Sequence, residues 1–88
     1  MKTMIITIMN RDRSLEYDLE VPANKASGEL IDDIAVLLNP RLNGYQISRL
    51  HHNLFACRPE RYIDEKETLS EAGVQNGDYI MIMPKKHI

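Results

Sequence analysis

Thr68-Leu69-Ser70-Glu71-Ala72-Gly73-Val74-Gln75-Asn76-Gly77-Asp78-Tyr79-Ile80 runs from a short helical turn through a tight turn into a strand. Residues 68–74 read as one helical turn closed by Gly73, since glycine takes the left-handed conformation that ends a helix without a Cβ clash. Asn76-Gly77-Asp78 is a turn. Tyr79-Ile80-Met81-Ile82-Met83 follows as an apolar strand, ended by Pro84, which has no amide to donate.

Residues 3–9, at the other end of the chain, are apolar and β-branched, as in a buried strand. After the polar turn 10–14, Leu15-Glu16-Tyr17-Asp18-Leu19-Glu20-Val21 alternates strictly, predicting a half-buried strand and an antiparallel hairpin. Pro22 ends it. Asn24 or Ser27 is placed to cap a helix, with Glu29 in its first turn. Leu30, Ile31, Ile34, Leu37 and Leu38 form one apolar stripe, and Asn39-Pro40 stops the helix. Residues 45–51 predict a third strand, although Ile47 and Leu50 have opposite parity and leave its register open. Residues 52–61 read as irregular, and Tyr62-Ile63 as a very short strand. A single helix after a hairpin buries its stripe by covering one face of a mixed sheet. The two most apolar strands are the first and the last, so they belong at the centre, paired in parallel. The expected class is α+β: a β-grasp, with a mixed four- to five-stranded sheet packed on one α-helix.

The 88 residues bound one domain, 1–88, with an ordered core over about 3–83 and a short tail 84–88. The apolar fraction of 43% and charged fraction of 27% are ordinary globular values, which argues against whole-chain disorder. A net charge of −2, with acids and bases interspersed, gives no footprint for nucleic acid. One cysteine, Cys57, cannot form an internal disulfide. The N-terminal apolar run is too short for a signal peptide, and no stretch approaches the roughly 20 apolar residues that span a bilayer. A cytoplasmic address without membrane insertion is expected by elimination.

Segment 68–80 resembles the ubiquitin-like pattern in which a Thr-Leu pair opens a short turn, an aliphatic residue plugs the core and the last strand follows. That resemblance makes Leu69 and Val74 the two plugs and, with the element order, covers about residues 3–83. Within the superfamily the chain resembles the YukD/EsaB proteins of Gram-positive type VII (Esx/Yuk) secretion systems. Tyr17-Asp18-Leu19-Glu20-Val21-Pro22-Ala23, Leu30-Ile31-Asp32-Asp33-Ile34-Ala35 and Gly73-Val74-Gln75-Asn76-Gly77-Asp78-Tyr79-Ile80 carry it, while the run 51–59 departs from the pattern. The resemblance implies an accessory or regulatory protein that binds secretion-system components.

Ubiquitin and the sulfur carriers of this fold act through a Gly-Gly tail, because only glycine lets the backbone reach deep into a narrow enzyme channel. Here the chain ends Pro84-Lys85-Lys86-His87-Ile88, with no glycine after Gly77 and no Gly-Gly pair within. Conjugation and sulfur carriage are therefore not expected. They stand as the alternative, beside a scaffold domain unrelated to secretion. His51, His52, Cys57 and His87 lack the paired spacings of a zinc site, and adjacent histidines on a strand point to opposite faces. Cys57 has no oriented base that would make it a nucleophile. Asp64, Glu65 and Glu67 read as a solvated turn. No enzyme activity, metal or cofactor is expected.

Of the five methionines, Met4, Met9, Met81 and Met83 lie on or beside the two apolar strands, where core filling is their default role. One helix cannot cover both faces of those strands, so apolar atoms remain on the open face, and such a patch marks a partner site. The candidate protein-binding face is Ile5, Thr7, Arg49, His51, Met81 and Met83. Self-association through this face, or through a strand edge, is a further expected use.

Overall fold

The computed structural model describes residues 2–44 and 46–85. Five strands and one helix follow in the order β1 (Thr3–Asn10), β2 (Glu16–Pro22), α1 (Ser27–Leu38), β3 (His52–Ala56), β4 (Arg61–Ile63) and β5 (Tyr79–Pro84), with a 3₁₀ turn at Asn39–Arg41. They form one mixed sheet, β2-β1-β5-β3-β4. β1 and β5 run parallel at its heart, and the other neighbours are antiparallel. This is the expected β-grasp. Met4, Ile6 and Ile8 of β1, Leu54 of β3 and Ile80 and Ile82 of β5 face Leu30, Ile31, Ile34 and Leu38 of α1 in one core. Each such side chain contributes roughly 1.5–3 kcal/mol by leaving water.

Segment 68–78 is built as its residues require. Thr68 Oγ1 accepts from the Glu71 amide at 3.1 Å, and the Glu71 carboxylate accepts from the Thr68 amide at 2.9 Å, a reciprocal capping box. Gly73, at φ 83°, closes the turn, with Val74 N–H bonded to the Leu69 carbonyl and Gly73 N–H to that of Ser70. That pairing is a Schellman motif, and its apolar contact sets Leu69 and Val74 into the core.

The third strand corrects the sequence reading. It runs over His52–Ala56, inside the stretch expected to be irregular. Of the expected strand 45–51, Tyr45 lies outside the described residues, and Arg49 to His51 form a turn. Asn39 explains this. Its side-chain amide accepts from the Ile47 N–H at 2.8 Å and donates to the Ile47 carbonyl at 2.9 Å, taking both groups a ladder would use. Ile47 then plugs the core at 2% exposed, while Leu50 stands 75% exposed.

The helix start differs too. Neither Asn24 nor Ser27 caps it: the N-cap is Ala26, which makes no side-chain cap. The loop 64–67 supplies carbonyls instead, Glu67 to the Ser27 amide at 2.8 Å and Glu65 to the Gly28 amide at 2.9 Å. The acids of that loop are more than a solvated turn, since Glu67 pairs with Arg61 and Glu65 with Arg49. Leu37, read as part of the buried stripe, lies at its rim and is half exposed.

Gly28 lies under the Arg49 guanidinium: a Cβ added there would come within 2.7 Å of Nε and Nη2. In an Arg49→Ala background, Gly28→Ala should therefore raise stability by about 0.5–1 kcal/mol, the usual helix gain. In the wild-type chain that gain should shrink, because the methyl displaces Arg49 from Asp32 and Glu65. Thermal melts of the four proteins in the cycle check it.

Candidate protein-binding face

Strand parity sorts the sheet into two sides. The side away from α1 carries Glu16, Asp18 and Glu20 of β2, Ile5, Thr7 and Met9 of β1, Tyr79, Met81 and Met83 of β5, Asn53 and Phe55 of β3, and Tyr62 of β4. Register aligns one apolar row across it. Met9 stands opposite Met81, Met81 opposite Phe55, and Phe55 opposite Tyr62. The Phe55 and Tyr62 rings meet edge to face, with centroids 5.1 Å apart at 74°. Tyr62, Tyr79 and Ile5 are exposed, whereas Met81 and Phe55 are half-buried. Met9 is only 2% exposed and lies outside the helix-side core, at the base of an open depression of about 550 Å³ shared with Arg13, Phe55, Cys57, Arg58, Tyr79 and Met81.

The rim of this depression is braced. Arg58 Nε donates to both Asp78 carboxylate oxygens at 3.1 Å, and Arg58 Nη2 donates to the Gly73 carbonyl. The hydrogen bond from Arg58, with a further one from the Gln75 amide, holds the Asp78 carboxyl below the usual aspartate range. A lowered native pKa contributes stability that is complete above the unfolded value and is lost as pH falls through the native one. Acid titration of the urea midpoint between about pH 5 and pH 2 should show this loss, and Asp78→Asn should flatten that limb of the curve. Burial pushes the Cys57 thiol up. It is therefore protonated at neutral pH and is a poor nucleophile.

Four of the six residues expected on this face, Ile5, Thr7, Met81 and Met83, stand on it. Arg49 and His51 do not. Arg49 lies in the turn before β3 and reaches the start of α1, donating to Glu65 at 3.0 Å and to Asp32 at 3.1 Å. His51 is exposed in the same turn, its carbonyl accepting from the Lys85 amide at 2.8 Å. Both belong to the expected strand 45–51, whereas the observed strand begins at His52, one residue past its end. The sequence reading missed Phe55, Tyr62 and Tyr79 as members of the face. Placing β3 at 52–56 would have turned Phe55 outward at once. His52 is buried and folds back onto Ser48, and His87 lies outside the described residues. Among the described residues, no three His, Cys, Asp or Glu side chains converge as metal ligands, and no helix is long and apolar enough to cross a membrane.

Residues 3–82 match the family model described as WXG100 protein secretion system (Wss), protein YukD. Among curated proteins, none matches the chain significantly. The structure is similar to the ubiquitin-like domain of the Mycobacterium tuberculosis type VII secretion system protein EccD1, at 21% identity and TM-score 0.70, covering 94% of this chain and 99% of that one. It is also similar to Caldiarchaeum subterraneum ubiquitin, at 21% identity and TM-score 0.70, over 98% of both chains. A chain of the MycP5-free ESX-5 inner membrane complex aligns at 14% identity and TM-score 0.74, covering all of this chain and 22% of that one.

Proposed function

The chain belongs to the YukD family of the WXG100 protein secretion system, and from that premise we propose that it is a non-conjugating cytoplasmic adaptor that binds a component of the secretion machinery through its open sheet face. The observation that carries the reading is the apolar row Met9-Met81-Phe55-Tyr62, left uncovered by the single helix and flanked by the exposed Tyr79. Aromatic and methionine side chains of this kind are enriched where proteins meet. The similar domains in EccD1 and in the ESX-5 inner membrane complex support a place in such machinery. Regulation would follow from occupancy of this face.

Affinity capture from the source cell tests the reading. The wild-type chain should recover secretion-system components and Met81→Glu should not. Recovery of an unrelated complex alone, or equal recovery by both proteins, overturns it. An intact-mass measurement that finds a thiocarboxylate or a protein adduct would replace it with the carrier reading.

A further inference from the structure

The edge strand β2 carries a second surface, at the border of the open face: its carboxylates project on that side, Glu16 opposite Met9, Asp18 opposite Thr7 and Glu20 opposite Ile5. β2 ends the strand order, paired with β1 on one side only. It is seven residues long and its only proline is the last, Pro22, so a row of backbone N–H and C=O groups stays available for another strand. The opposite edge, β4, is only three residues long, and its Arg61 is tied to Glu67.

The side chains of β2 say what could pair there. Glu16, Asp18 and Glu20 project at alternate positions and are exposed. The hydroxyls of Thr7 and Thr3 donate to Asp18 and Glu20 at 2.7 Å each, fixing those carboxylates without neutralising them. Among the described residues, no cation pairs with any of the three. On the other side of the strand, Tyr17 and Leu19 are half-buried. Beside them a hollow of about 130 Å³ opens between β2 and α1, lined by Leu19, Val21, Pro22, Leu30, Ile34 and the half-exposed Leu37, together with Glu20 and with Asp33, which is paired with Lys25.

A second copy of this chain is a poor occupant. An antiparallel β2–β2 pair that keeps its apolar sides together sets carboxylate opposite carboxylate, with Cβ atoms roughly 4.5–5.5 Å apart, and like charges so placed are destabilising. A strand alternating Lys or Arg with aliphatic residues meets both sides at once. Its cations fall beside Glu16, Asp18 and Glu20, and its aliphatic side chains fall on Leu19 and the hollow. We propose that β2 and the β2–α1 hollow accept an extended, alternately basic and aliphatic segment of a partner protein as a sixth strand of the sheet.

The probe is the peptide acetyl-Lys-Val-Lys-Val-Lys-Val-Lys-amide, titrated at low ionic strength into the full ¹⁵N-labelled chain. Saturable amide shifts should appear along Glu16–Pro22 and at Leu37, and the matching Glu-Val peptide should give none. Affinity should fall at least about tenfold in E16K/D18K/E20K, as expected when close charge pairs across an interface are reversed. It should also fall in Leu37→Asp, which keeps the three acids and alters an exposed residue. N-methylation of alternate peptide amides should abolish binding, because it removes the ladder donors. Binding that survives N-methylation overturns strand addition, even if it depends on charge. Shifts centred on Phe55 and Met81, or no saturable shift, overturn the assignment to β2 while leaving the open-face reading intact.

Discussion

Replacing Leu69 by alanine is expected to remove about 3–4 kcal/mol of stability, the middle of the range for buried leucine truncations. Leu69 is fully buried. Its carbonyl receives the Val74 amide, and both side chains sit in the core, so the truncation empties a site that the turn itself holds rigid. The surroundings cannot collapse freely: the capping box fixes one end of the turn and Gly73 the other. A domain of this size has roughly 5–13 kcal/mol in all, so the midpoint in urea should fall steeply. Ser70→Ala, one residue along and exposed, should stay within about 0.5 kcal/mol. A loss below about 1 kcal/mol for Leu69→Ala would show that segment 68–78 is not anchored through this side chain.

The elements that could be read from the sequence are those whose signal is local. The alternation of β2, the stripe of α1, the apolar runs of β1 and β5 and the glycine-closed turn 68–74 each depend on neighbours within a few residues, and each is present. β3 gave no such signal. It lies between β5 and β4, so Leu54 packs under the helix while Phe55 packs on the open face, and an internal strand that is apolar on both sides does not alternate. The decoy strand at 45–51 was cancelled by Asn39, eight residues before Ile47, through a contact that exists only after the helix has formed. The helix start is likewise a tertiary product, capped by loop 64–67 instead of by Asn24 or Ser27. The candidate face inherits this split. Ile5, Thr7, Met81 and Met83 follow from the parity of β1 and β5, whereas Arg49 and His51 followed from the displaced third strand.

That split sets up the second large effect, Met81→Glu. Met81 is at the middle of the apolar row, between Met9 and Phe55, and is half-buried. A glutamate there points to the solvent side, so its charge can stay hydrated in the free protein, and the cost to folding should be about 1 kcal/mol or less. Against a bound partner the same carboxylate would be desolvated between Met9 and Phe55, and Arg58 of the same depression is already engaged by Asp78. The loss of binding should then be about 2–4 kcal/mol, or roughly 30- to 1000-fold in Kd, the size seen for central interface residues. Arg49→Ala is the informative control. It removes a residue that the expected strand 45–51 set beside the face but whose guanidinium lies over the start of α1, so it should leave partner affinity unchanged. If Arg49→Ala weakened binding as much as Met81→Glu, the partner would be reading the helix side of the molecule. The row from Met9 to Tyr62 would then be a second packing surface of the domain and not its docking surface.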